Sequence, residues 1–156
     1  MQTRFNRRAL VGVMTAAIFA PFSFPVSATP TMLVHRDANC SCCEAWVAHI
    51  RAAGIAATVV NEANMNVVKT RLRVPNALVS CHTAEIDGYV VEGHVPVHAI
   101  LRLLRERPDA NGLAAPGMPA GSPGMENSGA NDAFDVVLFS SGGTTRFGRY
   151  RGEDAI

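Results

Sequence analysis

Three of this chain's four cysteines fall in one stretch, Asn39-Cys40-Ser41-Cys42-Cys43-Glu44. Cys40 and Cys43 make a C-x-x-C, the spacing of thioredoxin-type redox pairs and of one arm of many zinc sites. Cys42 adds a third thiol that a simple redox pair does not need. Cys40 is expected at a helix N-terminus, where the dipole and free N–H groups favour a thiolate. Cys42 lies about 100° round the helix from Cys43. Two adjacent cysteines fit poorly around one tetrahedral ion, but they can bridge two or more Cu(I) ions. With Cys81-His82 further on, the pattern suggests a thiolate-rich soft-metal site built on a redox-type motif. The competing reading is a plain Cys40–Cys43 disulfide with Cys42 a spare.

Imidazoles and thioethers extend the donor set. His82 and His94 are candidate copper ligands, as is His35 at the end of the first expected strand. Met118 and Met125 lie in a Pro/Gly-rich stretch without helical or strand periodicity. Thioether sulfur selects Cu(I), so the two are read as a copper lid. His49 and His98 read as solvated helix histidines, and Met32 and Met65 as core.

These residues need elements to position them. Thr31 to His35 reads as a strand. The next segment is a helix with Cys43, Trp46, Val47 and Ile50 on one apolar face, closed by Gly54. Ala56 to Asn61 is a second strand, rich in β-branched residues. Asn64 to Leu72 is a short helix. Thr83 to Ile86 and Tyr89 to Glu92 alternate around Asp87-Gly88, a type I′ hairpin loop. Pro96 opens a helix whose expected core stripe is Val97, Ile100, Leu101 and Leu104, with Arg102, Arg105 and Arg107 facing water. Residues 109–131 read as an irregular Met-containing loop, and residues 132–156 as a C-terminal hairpin, Phe134 to Phe139 with Thr144 to Tyr150. The expected fold class is α/β, a thioredoxin/glutaredoxin-like βαβ-ββα core with that loop and hairpin added. Thr83 to Gly93 resembles the glutaredoxin pattern after its cis-proline loop. Ser80-Cys81-His82-Thr83 stands where that fold keeps the cis-proline, which would aim a thiol and an imidazole at the cysteine cluster.

Composition and the N-terminus limit the partners. Arg4, Arg7 and Arg8 precede an apolar run from Leu10 to Ala20, and Val26-Ser27-Ala28 follows as a small-residue cleavage signal. Residues 1–28 therefore read as a cleaved export signal, with Arg7-Arg8 admitting a twin-arginine route. Residues 29–156 read as one domain. Cleavage takes three of the 14 Lys and Arg and none of the 13 Asp and Glu, leaving a net charge of −2. No basic stripe remains for nucleic acid, and the apolar run is too short to span a membrane. Export places the thiols in an oxidising compartment, where they pair, bind metal or are kept reduced by a dedicated system.

Four motifs in order resemble the CopG-type copper-resistance proteins. They are Cys40-Ser41-Cys42-Cys43, Ser80 to Ala84, Gly88 to Pro96, and Pro116 to Glu126. The resemblance spans nearly all of residues 31–150. It implies a periplasmic, thioredoxin-like protein that holds copper through its cysteine cluster, together with a copper redox role. Three function classes follow. The first is copper binding for resistance or homeostasis, with a thiolate-bridged Cu(I) cluster that cycles between Cu(I) and Cu(II) and exchanges copper with other periplasmic copper-handling proteins. The second is a thiol–disulfide oxidoreductase using Cys40 and Cys43. The third is a zinc-stabilised interaction domain with Cys40, Cys43, Cys81 and His82 as ligands. Only the first uses the third thiol, the imidazoles and the loop methionines together.

Overall fold

The structure, a computed structural model, describes residues 31–126 and 131–156. The expected export signal thus lies outside the described residues. Strand β1 (Thr31–Arg36) runs parallel to β2 (Ala56–Asn61), and helix α1 (Ser41–Ala52) connects them. Its predicted face holds: Cys43, Trp46, Val47 and Ile50 are buried. Burying Val47 and Ile50 contributes about 2 kcal/mol each. Past the last turn Gly54 has φ +82°, the left-handed conformation a helix-ending glycine supplies at no steric cost.

Helix α2 (Met65–Arg71) follows, capped by the Asn64 side chain, which accepts from the Asn66 N–H at 3.0 Å. A short 3-10 turn, Asn76–Leu78, leads into the segment carrying Cys81. Strands β3 (Thr83–Ile86) and β4 (Tyr89–Glu92) form the predicted antiparallel hairpin. Asp87 and Gly88 both have positive φ, 48° and 85°, as a type I′ turn requires.

The first four strands take the order β2-β1-β3-β4, with β1 parallel to β2 and antiparallel to β3, an α/β arrangement consistent with a thioredoxin-like plan. Helix α3 (Val97–Glu106) begins just after Pro96. Its buried stripe is Val97, Ala99, Ile100 and Leu103, which corrects the expected one: Leu101 is 40% exposed, and Leu104 is only partly buried. The helix is turned so that its flank meets the C-terminal hairpin. There Arg102 does not simply face water: its guanidinium lies 4.1 Å over the Phe147 ring and donates to the Phe147 carbonyl.

The C-terminal hairpin, β6 (Phe134–Ser140) and β7 (Gly143–Arg151), is as expected, with a two-residue strand β8 (Asp154–Ala155) on its outer edge. How it joins the core is a correction. Gly112–Ala114, inside the stretch read as irregular, is a strand, β5, parallel to β4 and antiparallel to β6. It welds hairpin and core into an eight-stranded sheet. Gly112 permits this, since a Cβ there would lie 1.8 Å from the Val90 carbonyl oxygen. Among the described residues no helix is long and apolar enough to cross a membrane.

Candidate metal centre

The first turn of α1 carries the cysteine cluster. Cys40 is its N-cap residue, with extended backbone and no side-chain cap bond. The turn ahead of it is stitched by Arg36, which donates to the carbonyls of Asp37, Ala38 and Cys40. Cys40 and Cys43 are joined in a disulfide, and Cys42 and Cys81 are free thiols. Cys42 Sγ lies 3.5 Å from Cys40 Sγ. The Ser80-Cys81-His82 segment delivers the fourth sulfur from across the fold. All four sulfurs lie within 4.8 Å of one another.

A second donor group shares Cys81. His82 Nδ1 is 3.3 Å and His94 Nε2 3.0 Å from its sulfur. His94 Nδ1 donates to the Pro123 carbonyl at 2.8 Å, which fixes the tautomer and turns the Nε2 lone pair toward the sulfurs. The His82 ring, fully buried, packs 4.3 Å from Trp46 and 4.9 Å from His94. Its Nε2 is buried with no hydrogen-bond partner. An orphaned buried nitrogen costs about 1–3 kcal/mol; the ring nitrogen that faces the Cys81 sulfur is Nδ1.

Burial sets the protonation states. It pushes the Cys81 thiol up to about 12, helped by the neighbouring Cys42. It lowers both imidazoles, His82 well below its usual value, with His94 and Lys69 adding to the effect. Neutral imidazoles are the form that binds a soft cation.

Beneath the site is a buried polar knot. Lys69 Nζ donates to Glu92 Oε1 at 2.5 Å and to Thr83 Oγ1 at 2.9 Å. Thr83 Oγ1 donates to Glu92 Oε2 at 2.6 Å, and the Ser80 N–H donates to Glu92 Oε1 at 2.7 Å. Burial pushes the Glu92 carboxyl up, against the pull of Lys69. The knot holds both sides of Cys81-His82, because Ser80 and Thr83 flank that pair. Neither Lys69 nor Glu92 stood out in the sequence. The one available signal was a carboxylate closing the otherwise apolar run Tyr89-Val90-Val91.

The loop read as a lid packs against the first turns of α1. A Cβ on Gly124 would sit 2.7 Å from the Trp46 nitrogen and 2.8 Å from the Cys42 carbonyl oxygen, so the backbone touches the first turns of α1. Met125 follows Gly124 directly in the chain. Met118 is 56% exposed. Its neighbour Gly117 donates to the Val79 carbonyl and accepts from the Ser80 hydroxyl, next to Cys81. Glu126 fastens the loop through His49 Nε2 at 2.8 Å, so His49 is not merely solvated. His98 likewise meets the Glu153 carbonyl at 2.8 Å.

Replacing Gly124 with alanine combines a positive φ of 83° with backbone contacts below 3 Å. The loop should lift from α1, and stability should fall by about 2 kcal/mol in urea titrations. An unchanged midpoint would mean that the loop does not press on the helix.

His35 is the expected ligand that the structure does not bring to the cluster. Its Nδ1 is 2.7 Å from Glu62 and its Nε2 3.1 Å from Glu85, with Arg71 alongside. In the sheet His35 is paired with Val60 and Thr83, so the ends of β2 and β3 supply carboxylates to both ring nitrogens.

Comparison with known proteins bears on this site. A family described only as a protein of unknown function, DUF411, matches residues 78–125, which include Cys81, His82, His94 and both loop methionines. Two solved structures of a copper resistance protein copG are similar to the chain. Form 2 is 49% identical, with 79% of this chain and 99% of that one covered and a TM-score of 0.75. Form 1 is 50% identical, with 78% and 98% covered and a TM-score of 0.73. The chain belongs to the copG copper-resistance family. No curated protein matches it. In this chain two groups of side chains, the four cysteines and Cys81 with His82 and His94, could each hold a metal ion.

Proposed function

We propose that this copG-family protein is exported to the periplasm and holds Cu(I) as cargo in a thiolate-bridged cluster of more than one ion. The observation that carries the reading is four sulfurs within 4.8 Å of one another, with the His94 Nε2 lone pair turned toward Cys81. Cys40, Cys42, Cys43 and Cys81 supply thiolates once a dithiol reductant, itself oxidised to its disulfide, opens the Cys40–Cys43 disulfide to two thiols and the thiols give up their protons on binding Cu(I). Cys42 and Cys43, adjacent in sequence, bridge neighbouring ions rather than chelate one. His82 and His94 add neutral nitrogen donors, and Met118 and Met125 offer thioethers from the loop. The soft donors select Cu(I) over harder cations. Cycling between Cu(I) and Cu(II) in this site would make the protein a copper oxidoreductase.

Metal analysis of protein taken from a copper-supplemented periplasm tests the reading. More than one copper per chain, with a thiolate-to-copper absorption band, is expected; a single tightly held zinc and no copper would sink it. A second reading, a thiol–disulfide oxidoreductase, draws on the Cys40–Cys43 disulfide. It predicts catalysed reduction of insulin disulfides that survives removal of Cys42.

Copper uptake should also depend on pH, and the sign is fixed. With Cys40 and Cys43 paired, burial holds the Cys81 thiol up near 12, so it carries its proton at neutral pH. Cu(I) must displace that proton, whereas the lowered imidazoles have none to give up. Affinity should therefore rise with pH, about tenfold per unit for each proton released. Competition against a Cu(I) chelator between pH 6 and 8 would reveal this, and a flat profile would remove Cys81 from the donor set.

A further inference from the structure

The Cys40–Cys43 disulfide leaves two thiols, and both remain at the centre of the cluster. All four cysteines of the chain are among the described residues. With Cys40 and Cys43 committed to each other, Cys42 has a single thiol within reach, that of Cys81. Their sulfurs are no more than 4.8 Å apart, so a bond requires closure by at most about 3 Å. Both side chains are half-buried, neither sealed in the core nor free at the surface. Two surplus thiols this close in an oxidising compartment are candidates to pair.

We propose that Cys42 and Cys81 are a second redox pair, closing to a disulfide beside Cys40–Cys43 and shutting the site to Cu(I) until a dithiol reductant reopens it. The inference deepens the copper reading and rests on it. Closing needs an oxidant, and a low-molecular-weight disulfide such as oxidised glutathione suffices. Cys42, as thiolate, attacks one glutathione sulfur; a mixed disulfide forms and one glutathione thiolate leaves. Cys81 then attacks the Cys42 sulfur, and the second glutathione thiolate leaves. Two electrons pass from the protein thiols to glutathione, and their two protons end on the two glutathione thiols. Reopening runs the same exchange backward with a dithiol, which ends as its own disulfide. Thiolates bind Cu(I), and disulfide sulfurs, which carry no charge, are poor ligands for it. The protein is then a copper site gated by four electrons rather than two, with every cysteine ligand under redox control.

The test uses the full chain, metal-free. One portion is reduced with dithiothreitol and freed of it; another is treated with oxidised glutathione. Both are denatured and tagged with a maleimide for mass analysis, and undenatured samples are offered Cu(I) in competition with a chelator. The expected result is four tags after reduction and none after oxidation, with no glutathione retained. Cu(I) binding should be lost on oxidation, and dithiothreitol should restore both thiols and copper binding. A variant with Cys40→Ser and Cys43→Ser, which can pair only Cys42 with Cys81, should lose both of its tags on oxidation. Tags or glutathione persisting on Cys42 and Cys81, in the parent or the variant, would overturn the second pair. Failure of the reduced parent to bind Cu(I) would instead overturn the copper reading while leaving the disulfide count intact.

Discussion

Replacing Cys42 with serine should strip the reduced protein of most of its copper and leave its fold standing. Serine is close in size, but its neutral hydroxyl is a poor ligand for Cu(I). Cys42 is only half-buried and off the apolar face formed by Cys43, Trp46, Val47 and Ile50. No core cavity opens, so metal-free stability should change by less than about 0.5 kcal/mol. Copper per chain, measured after desalting, and urea titration of the metal-free form check the two halves. A variant that loads copper like the parent would make Cys42 a bystander, and a single Cys40/Cys43/Cys81 site would then be the better description.

The second large effect lies beneath the site. Lys69→Met removes one partner of a buried ion pair and leaves the Glu92 carboxyl, fully buried, without its counter-charge. Breaking such a pair on one side costs about 3–5 kcal/mol. The loss should depend on pH. Burial already raises the Glu92 pKa, and removing the ammonium raises it further. A carboxyl whose folded pKa is raised favours the fold at low pH and loses that contribution as pH climbs through the folded value. The deficit should therefore be smaller at pH 5 than at pH 8, as chemical denaturation at the two values would show. Adding Glu92→Gln should restore part of the loss, since a neutral amide keeps an acceptor for Ser80 or Thr83. A pH-independent deficit, or no recovery in the double variant, would mean that the pair is not the strut described here.

What could be read from the sequence, and what could not, divides by range. Helix α1, strand β2 and the β3–β4 hairpin announced themselves through local signals: an apolar face at helical spacing, a β-branched run, and Asp87-Gly88 between alternating segments. The meeting of Cys81 with the α1 cysteines is long-range, and it was reachable only because the element order implied the fold. Strand β5 was missed because three residues, Gly112-Leu113-Ala114, are too few to display a period amid prolines and glycines. Lys69 and Glu92 were missed for another reason. A lysine on a short helix ordinarily reads as solvated, and only the folded chain brings its ammonium to Glu92 and Thr83. His35 was placed near the site by its position at a strand end, but the carboxylates that occupy it come from Glu62 and Glu85, distant in sequence. On α3 the choice between Leu101 and Leu103 depended on which flank the C-terminal hairpin covers, and local spacing carries no record of that.

Strand β5 has a consequence for how such proteins can diversify. The methionine-bearing segment leaves the sheet at Ala114 and returns at Phe134, on strands that are hydrogen-bonded neighbours, Ala114 facing Val137. A span with both feet on adjacent rungs can gain, lose or exchange residues without shifting either foot. The entropic cost of closing it grows only with the logarithm of its length, about 0.6 kcal/mol per doubling. The thiolate floor is built into helix and sheet, where one wrong residue disturbs the core. On the copper reading proposed above, relatives could retune which soft donors face the cluster by rewriting the parts of this one loop that do not touch α1 or His94.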